Sequence, residues 1–247
     1  IADYSMKTGT DVADLTDTEF MSYIIRPALE RQMKRMIWRF GWFGDTGAKV
    51  IANGGNLTAD TRTELFTTCD GLFKRIFEQG TKNTAQVTAI DANTKTTFAE
   101  QKKAILKDGV ASGIIDNLLM DADSRISSDG EAVILLTKGL ADALTYDVKN
   151  RYKVIMPWEK VFKGVDMVQY NGVTIARVGI WDRMIRAYEN TGTKLNKPYR
   201  AVYANINQLQ VGTDAEGLIS DLDIWFDKKE RRNYIYSTGR IGTQILE

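Results

Sequence analysis

The chain has 247 residues, of which 43% are hydrophobic and 26% charged, a composition typical of a globular protein with a buried core. Its net charge of +1 excludes a long-range field that would draw the whole molecule to nucleic acid or an anionic membrane, so any DNA contact would be local and weak. The absence of histidine and the single cysteine, Cys69, exclude Ser-His-Asp and Cys-His catalytic sets, His-ligated zinc and an internal disulfide.

The chain opens on Ile1 in "IADYSMKTGTDVADL", which has neither an initiator Met nor the apolar core of a signal peptide. We therefore expect that a segment upstream has been lost. No apolar run approaches the ~20 residues of a membrane span, so the sequence predicts no membrane contact.

A long amphipathic helix is predicted from Thr16 to Gly41. Thr16 and Glu19 fit a capping box, and apolar residues then recur at steps of three and four as far as Phe40. Pro27 predicts a kink or a restart of the helix, because proline is tolerated only in the first turn. Gly41 predicts the end of the helix.

The stretch "FGWFGDTG" over residues 40–47 has two interpretations, a phosphate-binding loop or a packed turn. A phosphate cradle places its glycines before a helix, whose amino end then faces the anion. Here the glycines follow a helix, and no "GKS" or "GKT" comes after them. We therefore predict a packed turn in which Trp38, Trp42 and Phe43 contact the core or a neighbouring subunit.

The next segments alternate loops and helices. The loop "VIANGGNLTADT" precedes a helix predicted over "RTELFTTCDGLFKRIFEQG", on whose apolar face Cys69 would be a buried, inert thiol. "QVTAI" is a short strand at best. "TFAEQKKAIL" and "VASGIIDNLLMDADSRI" are predicted helices, the second with Val110, Ile114, Leu118 and Ala122 directed inward.

Strands dominate from Ser127 onward. "AVILL" predicts a buried strand, "KGLADALTYDVKN" a helix, and Asn171-Gly172 a hairpin turn between two β-branched runs. "WDRMIRAYEN" predicts a brief helix, and strands follow in "YRAVYANI", "QLQVG", "DLDIWF" and "NYIYSTGRIGTQIL". Helices early and strands late predict the α+β fold class.

The residues themselves indicate no catalytic set, cofactor site or metal site. Asp121 with Asp123 and Asp221 with Asp223 are paired carboxylates, but two-residue spacing converges on one ion only in a loop. The charge run "DKKERR" is most often a solvated hairpin tip, with an inter-subunit salt-bridge patch or a nucleic-acid contact as the functional alternative.

The order of elements resembles that of tailed-bacteriophage major capsid proteins, with the fold named after phage Hong Kong 97. "DTEFMSYIIRPALERQMKRMIWRFGWFGDTGA" is similar to the family's spine helix and the Gly/Asp-rich turn that ends it. "DGVASGIIDNLLMDADSRISSDGEAVILLTKGLADAL" is similar to the family's next module. "VQYNGVTIARVGIWD" is similar to its hairpin, with Val173 and Ile175 as strand residues but without the family's proline. "PYRAVYANINQLQVGTD" and "NYIYSTGRIGTQIL" are similar to the later strands.

This resemblance implies a peripheral (P) domain over residues 1–105 that contains the spine helix at about 16–41. It implies an axial (A) domain over 106–217 and closing strands over 218–247 that return to the P domain. The family's amino-terminal arm and most of its extended loop are absent from this chain, so the segment alone could be a monomer or a poor assembler.

The implied function is a structural subunit of an icosahedral phage or prophage head, with no enzymatic activity. The implied partners are copies of itself in pentamers and hexamers, packaged double-stranded DNA in weak contact, and scaffold or portal proteins. The implied location is the virion, assembled in the bacterial cytoplasm. Trp42, Phe43 and Trp158 are the candidate subunit-contact anchors.

Three alternatives remain open at this point. A bacterial nanocompartment shell has the same fold and would be favoured by a cargo-docking groove. A phosphate- or metal-dependent enzyme would use "GWFGDTG" with Asp45, or the paired aspartates. A carbohydrate-binding module would use surface Trp and Tyr side chains.

Overall fold

The computed structural model describes residues 26–128, 130–162, 164–213, 221–227, 229 and 232–246. The described part mixes helices and strands, so the α+β fold class is confirmed. The helices are α1 (Arg26–Phe43), α2 (Leu72–Lys82), α3 (Phe98–Ile105), α4 (Val110–Met120), α5 (Ser124–Ser127), α6 (Lys138–Tyr152) and α7 (Gly179–Tyr188). The strands are β1 (Ala132–Thr137), β2 (Glu159–Phe162), β3 (Val165–Tyr170), β4 (Val173–Val178), β5 (Ala201–Asn205), β6 (Leu209–Thr213), β7 (Asp221–Asp227), β8 (Arg232–Thr238) and β9 (Ile241–Ile245).

The largest sheet has five strands in the order β2-β3-β4-β1-β5. β1 runs parallel to β4, and the other neighbouring strands are antiparallel. β3 and β4 form a hairpin with Tyr170 paired to Val173. The two turn residues, Asn171 and Gly172, have φ values of 48° and 80°, which is the geometry that an Asn-Gly hairpin turn requires. The predicted hairpin is therefore confirmed, with Val173 and Ile175 in β4.

Both faces of this sheet are buried. Along β1, Ile134 and Leu136 enter one hydrophobic cluster with α4 and α6, whereas Leu135 enters a second cluster on the opposite face. The second cluster contains Trp181 of α7 and Phe73 of α2. Strands covered on both faces carry continuous apolar runs, which explains why "AVILL" shows no alternation.

Two smaller antiparallel ribbons complete the described structure, β6 with β9 and β7 with β8. β9 lies against α1 and α2. Arg75 of α2 donates from Nε to Thr243 Oγ1 of β9 at 2.9 Å. The last described strand therefore lies beside the long helix.

The ends of the long helix differ from the prediction. Its described part begins at Arg26, next to Pro27, while Thr16 and Glu19 lie outside the described residues. The predicted stop at Gly41 is wrong, because α1 continues to Phe43. Packing of the two residues after Gly41 outweighs the weak helix propensity of glycine.

The helix predicted over residues 62–80 is also wrong in its first half. Only a 3-10 turn forms at Thr63–Leu65, and α2 begins at Leu72. Gly71 is extended there and crosses the chain at Gly44, with its N–H donating to the Gly44 carbonyl at 2.8 Å. A Cβ on Gly71 would lie 2.7 Å from the Gly44 nitrogen, so this crossing requires glycine.

Two further sequence predictions need correction. The segment "QVTAI" forms no strand over residues 86–90. The helix predicted through "DADSRI" ends at Met120, because Asp123 instead caps α5 by accepting from Arg125 N at 2.8 Å. Of the positions predicted to face inward, Ile114 is buried and Ala122 lies beyond the helix. The division of the chain into a P domain (1–105), an A domain (106–217) and closing strands (218–247) stays a prediction.

Two glycine substitutions test the backbone geometry. Gly172→Ala should lower the free energy of unfolding by about 1 kcal/mol, because its φ of 80° strains any residue with a Cβ. Gly113→Ala is the matched control within α4, where an added Cβ meets nothing within 4 Å. It should raise the unfolding free energy by up to about 1 kcal/mol, measured by urea denaturation. Equal shifts in both variants would contradict the assigned turn.

Candidate interaction surface

The backbone amides of the turn after α1 are occupied by acceptors within the chain. Gly44 N donates to the Phe40 carbonyl at 3.3 Å, and Asp45 N donates to the Phe66 carbonyl at 2.8 Å. Thr46 N donates to Asp70 Oδ1 at 2.8 Å. The two following amides, of residues 47 and 48, donate to Oδ1 and to the carbonyl of Asp45. This geometry supports the packed turn and leaves none of these amides for a phosphate.

Lys74 ties this turn to α2. Its Nζ lies 2.8 Å from Oδ1 of both Asp45 and Asp70. These hydrogen bonds, first to Asp45 and then to Asp70, raise the pKa of the ammonium group. Partial burial works to raise the pKa of Asp70, but hydrogen bonds from Lys74 and Thr46 outweigh it and lower the pKa to about 2. The carboxylate therefore remains charged in the folded protein and holds the turn closed.

Cys69 lies beside this network. Its thiol is half-buried, with Sγ 3.8 Å from the Phe40 carbonyl oxygen. Burial first, and then the charge of Asp70, raise the pKa of the thiol. A protonated thiol is a poor nucleophile, so the expectation of an inert thiol is supported, although Cys69 lies before α2 and not on its face.

An aromatic cluster fixes the carboxyl end of α1 to the sheet. The ring centroid of Trp42 lies 4.5 Å from that of Trp181 and 5.1 Å from that of Phe73, and both contacts are tilted or edge-on. Phe43 meets Phe73 at 5.1 Å. Trp181 is fully buried. Edge-on aromatic pairs at these distances add about 0.5–1.5 kcal/mol each beyond the area they bury.

A buried ion pair covers the same cluster. The Arg200 guanidinium lies 4.8 Å from the Phe73 ring centroid and 5.3 Å from that of Phe43. It also pairs with Glu189, and both side chains are buried. Burial raises the pKa of Glu189, and the charge of Arg200 opposes that shift. Removing either partner would leave an uncompensated buried charge, so the pair holds the cluster in one arrangement.

These contacts account for the positions of the candidate anchors Trp42 and Phe43. Both are half-buried and pack within the chain, as predicted for a turn packed against the core. Whether either side chain also contacts a neighbouring subunit stays a prediction.

Trp158 is likewise half-buried against the first hydrophobic cluster. Its Nε1 donates to Thr145 Oγ1 at 2.9 Å, and the Arg177 guanidinium lies 4.9 Å from its ring centroid. Arg177 is held in turn by Asp166 and Asp142. Trp158 therefore has internal partners that account for its position, and its role as a subunit-contact anchor stays a prediction.

The structure instead exposes the middle of α1. Exposed positions there span about 220° of the helix circumference, more than half. They are Arg31, Gln32, Lys34, Arg35 and Ile37. Phe40 is buried one turn later. The middle of the helix is therefore largely exposed, while its carboxyl end is held by the aromatic cluster.

A second exposed surface follows α6. Ile155 is 76% exposed, Val154 is 54% exposed, and both precede the edge strand β2. Val161, at a bulge in β2, is 54% exposed as well. Sequence reasoning missed these residues because it singled out aromatics. The signal available in the sequence was the largely apolar stretch "KVIMPW", which lies between a predicted helix and a predicted strand.

The paired aspartates do not converge on a metal site in the described structure. Asp121 is exposed, and Asp123 accepts from Arg125. Asp221 and Asp223 lie in β7, and the "DKKERR" run that follows falls largely outside the described residues. Among the residues that the structure covers, no group of three or more Cys, Asp or Glu side chains could hold a metal ion.

An open groove of about 400 Å³ lies between α2 and β9. Its lining includes Arg75, Glu78 and Lys82 from α2, with Gln244 and Ile245 from β9. Across the described ranges, no helix is long and apolar enough to cross a membrane.

Comparison of the chain with protein families, with curated proteins and with solved structures found no match.

Replacing Asp70 tests the turn network. Above its ordinary pKa of 3.8 the charged carboxylate stabilises the fold, and that stabilisation disappears as the pH falls through about 2. Asp70→Asn keeps an acceptor for Thr46 but removes the charge, so it should cost about 1 kcal/mol at pH 7. Urea unfolding at several pH values should show the two proteins converging between pH 4 and pH 2.

The control for that series is Asp91→Asn, because Asp91 pairs with Lys95 while its side chain is 75% exposed. It should change the unfolding free energy much less than Asp70→Asn does, because solvent screens an exposed ion pair. A cost for Asp70→Asn that stays constant down to pH 2 would contradict the proposed charge interaction.

Truncating Trp42 tests the aromatic cluster. Trp42→Ala should lower the free energy of unfolding by about 3 kcal/mol, because it removes two ring contacts and leaves a cavity against Trp181. Trp42→Phe keeps a ring there and should cost less than about 1.5 kcal/mol. Unfolding would be followed at low protein concentration. A loss that appears only at high concentration would show that Trp42 acts in a subunit contact instead.

Proposed function

We propose that the chain is a structural subunit that assembles with copies of itself into a closed shell. The observation that carries this proposal is the exposed middle of α1, a helix whose carboxyl end is anchored in the aromatic cluster. An exposed stretch of a stiff helix is suited to contact a neighbouring chain. Interfaces in obligate assemblies commonly bury ~2,000 Å² or more, so such a subunit needs several exposed surfaces.

The order of elements supports the same proposal. α4, a turn, β1 and α6 follow one another as in the module that the sequence resembles, and the β3–β4 hairpin comes next. β9 lies beside α1, as expected of closing strands that return to a spine helix. On this basis we propose a Hong Kong 97-type capsid fold and a role as the major capsid protein of a phage or prophage head.

The partners and location belong to the same proposal. They are pentamers and hexamers of the chain itself, enclosed double-stranded DNA, scaffold or portal proteins, and a virion assembled in the bacterial cytoplasm. A nanocompartment shell of the same fold is the second candidate. It is favoured by the groove between α2 and β9, which is open to solvent and could receive a peptide segment of a cargo protein.

Assembly is tested directly on the purified chain in its longest encoded form. Light scattering and negative-stain electron microscopy should show rings of five and six subunits or uniform closed shells. Val154→Asp combined with Ile155→Asp should reduce assembly strongly while the circular dichroism spectrum is unchanged, because both side chains are more than half exposed.

The matched control is Val87→Asp, at an apolar residue that is 51% exposed on another part of the chain. Val87→Asp should assemble to the same extent as the unsubstituted chain. A parent chain that stays monomeric up to millimolar concentration would reject the proposed function. Unimpaired assembly of the double variant would reject the segment at residues 154–161 as a contact surface.

A further inference from the structure

Asn-Gly is the dipeptide in which an asparagine side chain reacts most readily with its own backbone, because glycine places no side chain beside the attacking nitrogen. It occurs twice in the chain, at Asn53-Gly54 and at Asn171-Gly172. Both asparagines are exposed, and the two glycines have similar φ values of 79° and 80°. The dipeptide and its exposure therefore do not distinguish the two junctions.

Hydrogen bonding at the glycine nitrogen does distinguish them. Gly54 N–H donates to the Ile51 carbonyl at 3.0 Å and closes the 3-10 turn Ile51–Asn53. The N–H of Asn53 donates to the Val50 carbonyl at 2.9 Å, so both residues of this junction are held by the same turn. The nitrogen that would attack the Asn53 side chain is therefore bound to an acceptor, and the turn must open before it can react.

Gly172 lies at the tip of the β3–β4 hairpin, and its N–H donates to none of the residues that the structure describes. A Cβ built on this glycine would meet nothing within 4 Å, so the space around the nitrogen is open. The side-chain amide of Asn171 donates to Oδ1 of Asp116 in α4 at 3.4 Å, which is longer than the usual range for an N–H···O hydrogen bond. Both reacting groups are therefore accessible and weakly held.

We propose that Asn171 is a site of spontaneous deamidation, at which water converts the side-chain amide to a carboxylate through a cyclic imide formed with Gly172. The backbone nitrogen of Gly172 loses its proton and bonds to Cγ of Asn171, and the Cγ–Nδ2 bond breaks with release of ammonia. Water then opens the imide at either of its two carbonyl carbons, which gives aspartate or isoaspartate. The reaction consumes water, releases ammonia and needs no oxidant or enzyme. This inference goes beyond the proposed function and does not depend on it.

Deamidation would act on the contact between the hairpin tip and α4. The Tyr170 hydroxyl donates to the same Asp116 oxygen at 3.3 Å, so one carboxylate holds both residues of the tip. The product replaces the Asn171 donor by a second carboxylate, and like charges this close repel each other. Isoaspartate also lengthens the backbone of the turn that sets the pairing of Tyr170 with Val173. The tip should therefore separate from α4 as the protein ages.

The test incubates the purified full chain at neutral and at mildly alkaline pH and follows both Asn-Gly peptides over time by chromatography and mass spectrometry. Asn171 should convert about tenfold faster than Asn53, the factor that one retained hydrogen bond accounts for. Both rates should rise with pH, because the glycine nitrogen must lose its proton before it attacks. In urea the difference between the two sites should disappear, because neither nitrogen is then held by the fold.

Three outcomes would overturn the inference. Asn53 could convert as fast as Asn171 in the folded chain, which would show that the hydrogen bond of Gly54 gives no protection. Asn171 could stay unchanged in the folded chain while it converts in urea, which would show that the hairpin holds the two groups apart. The difference between the sites could persist in urea, which would show that the neighbouring sequence sets the rates and the fold does not.

The effect on the hairpin is tested with Asn171→Asp, which introduces the charge of the product. Hydrogen exchange of the Tyr170 and Val173 amides should be faster in this variant than in the unsubstituted chain. Adding Asp116→Asn should reverse the change, because the repulsion requires both carboxylates. Asn53→Asp is the matched control and should leave exchange in the hairpin unchanged. Unchanged exchange in Asn171→Asp, or an equal effect of Asn53→Asp, would overturn the proposed separation of the tip from α4.

Discussion

Trp42, Phe73 and Trp181 meet with ring centroids 4.5 to 5.1 Å apart, and the position of α1 depends on this contact. The three rings come from α1, α2 and α7, so one cluster joins the long helix to the sheet. Because Trp181 is fully buried, the helix cannot tilt without opening a cavity beneath it. The exposed half of α1 is therefore held in a defined direction by its last turn.

Charged groups surround this apolar contact and limit the ways in which it can rearrange. Arg200 lies against Phe43 and Phe73 and is paired with buried Glu189. On the other side of the turn, Lys74 bridges Asp45 and Asp70 and so fixes the start of α2 against the end of α1. A buried or half-buried charge held by partners at fixed positions favours one geometry over its alternatives.

Sequence patterns predicted the sheet well because its signals are local. The apolar run "AVILL" and the Asn171-Gly172 turn each specify a strand or hairpin without reference to distant residues. The patterns failed where distant segments meet. The break before Leu72 follows from the crossing of Gly71 over Gly44, and the continuation of α1 past Gly41 follows from the packing of Trp42 and Phe43 on Phe73 and Trp181, which lie far along the chain. The local pattern of hydrophobic residues there carries no information about contacts with distant segments.

The carboxyl end of α1 is anchored and its exposed middle is proposed to meet other molecules, and hydrogen exchange along this helix tests that division most directly. In the dissociated chain, amides near Phe40 should be protected while those of residues 31–37 exchange quickly, because Phe40 is buried whereas most of residues 31–37 are exposed. After assembly, residues 31–37 should gain protection of at least tenfold. Equal exchange of this stretch in dissociated and concentrated samples would contradict the account.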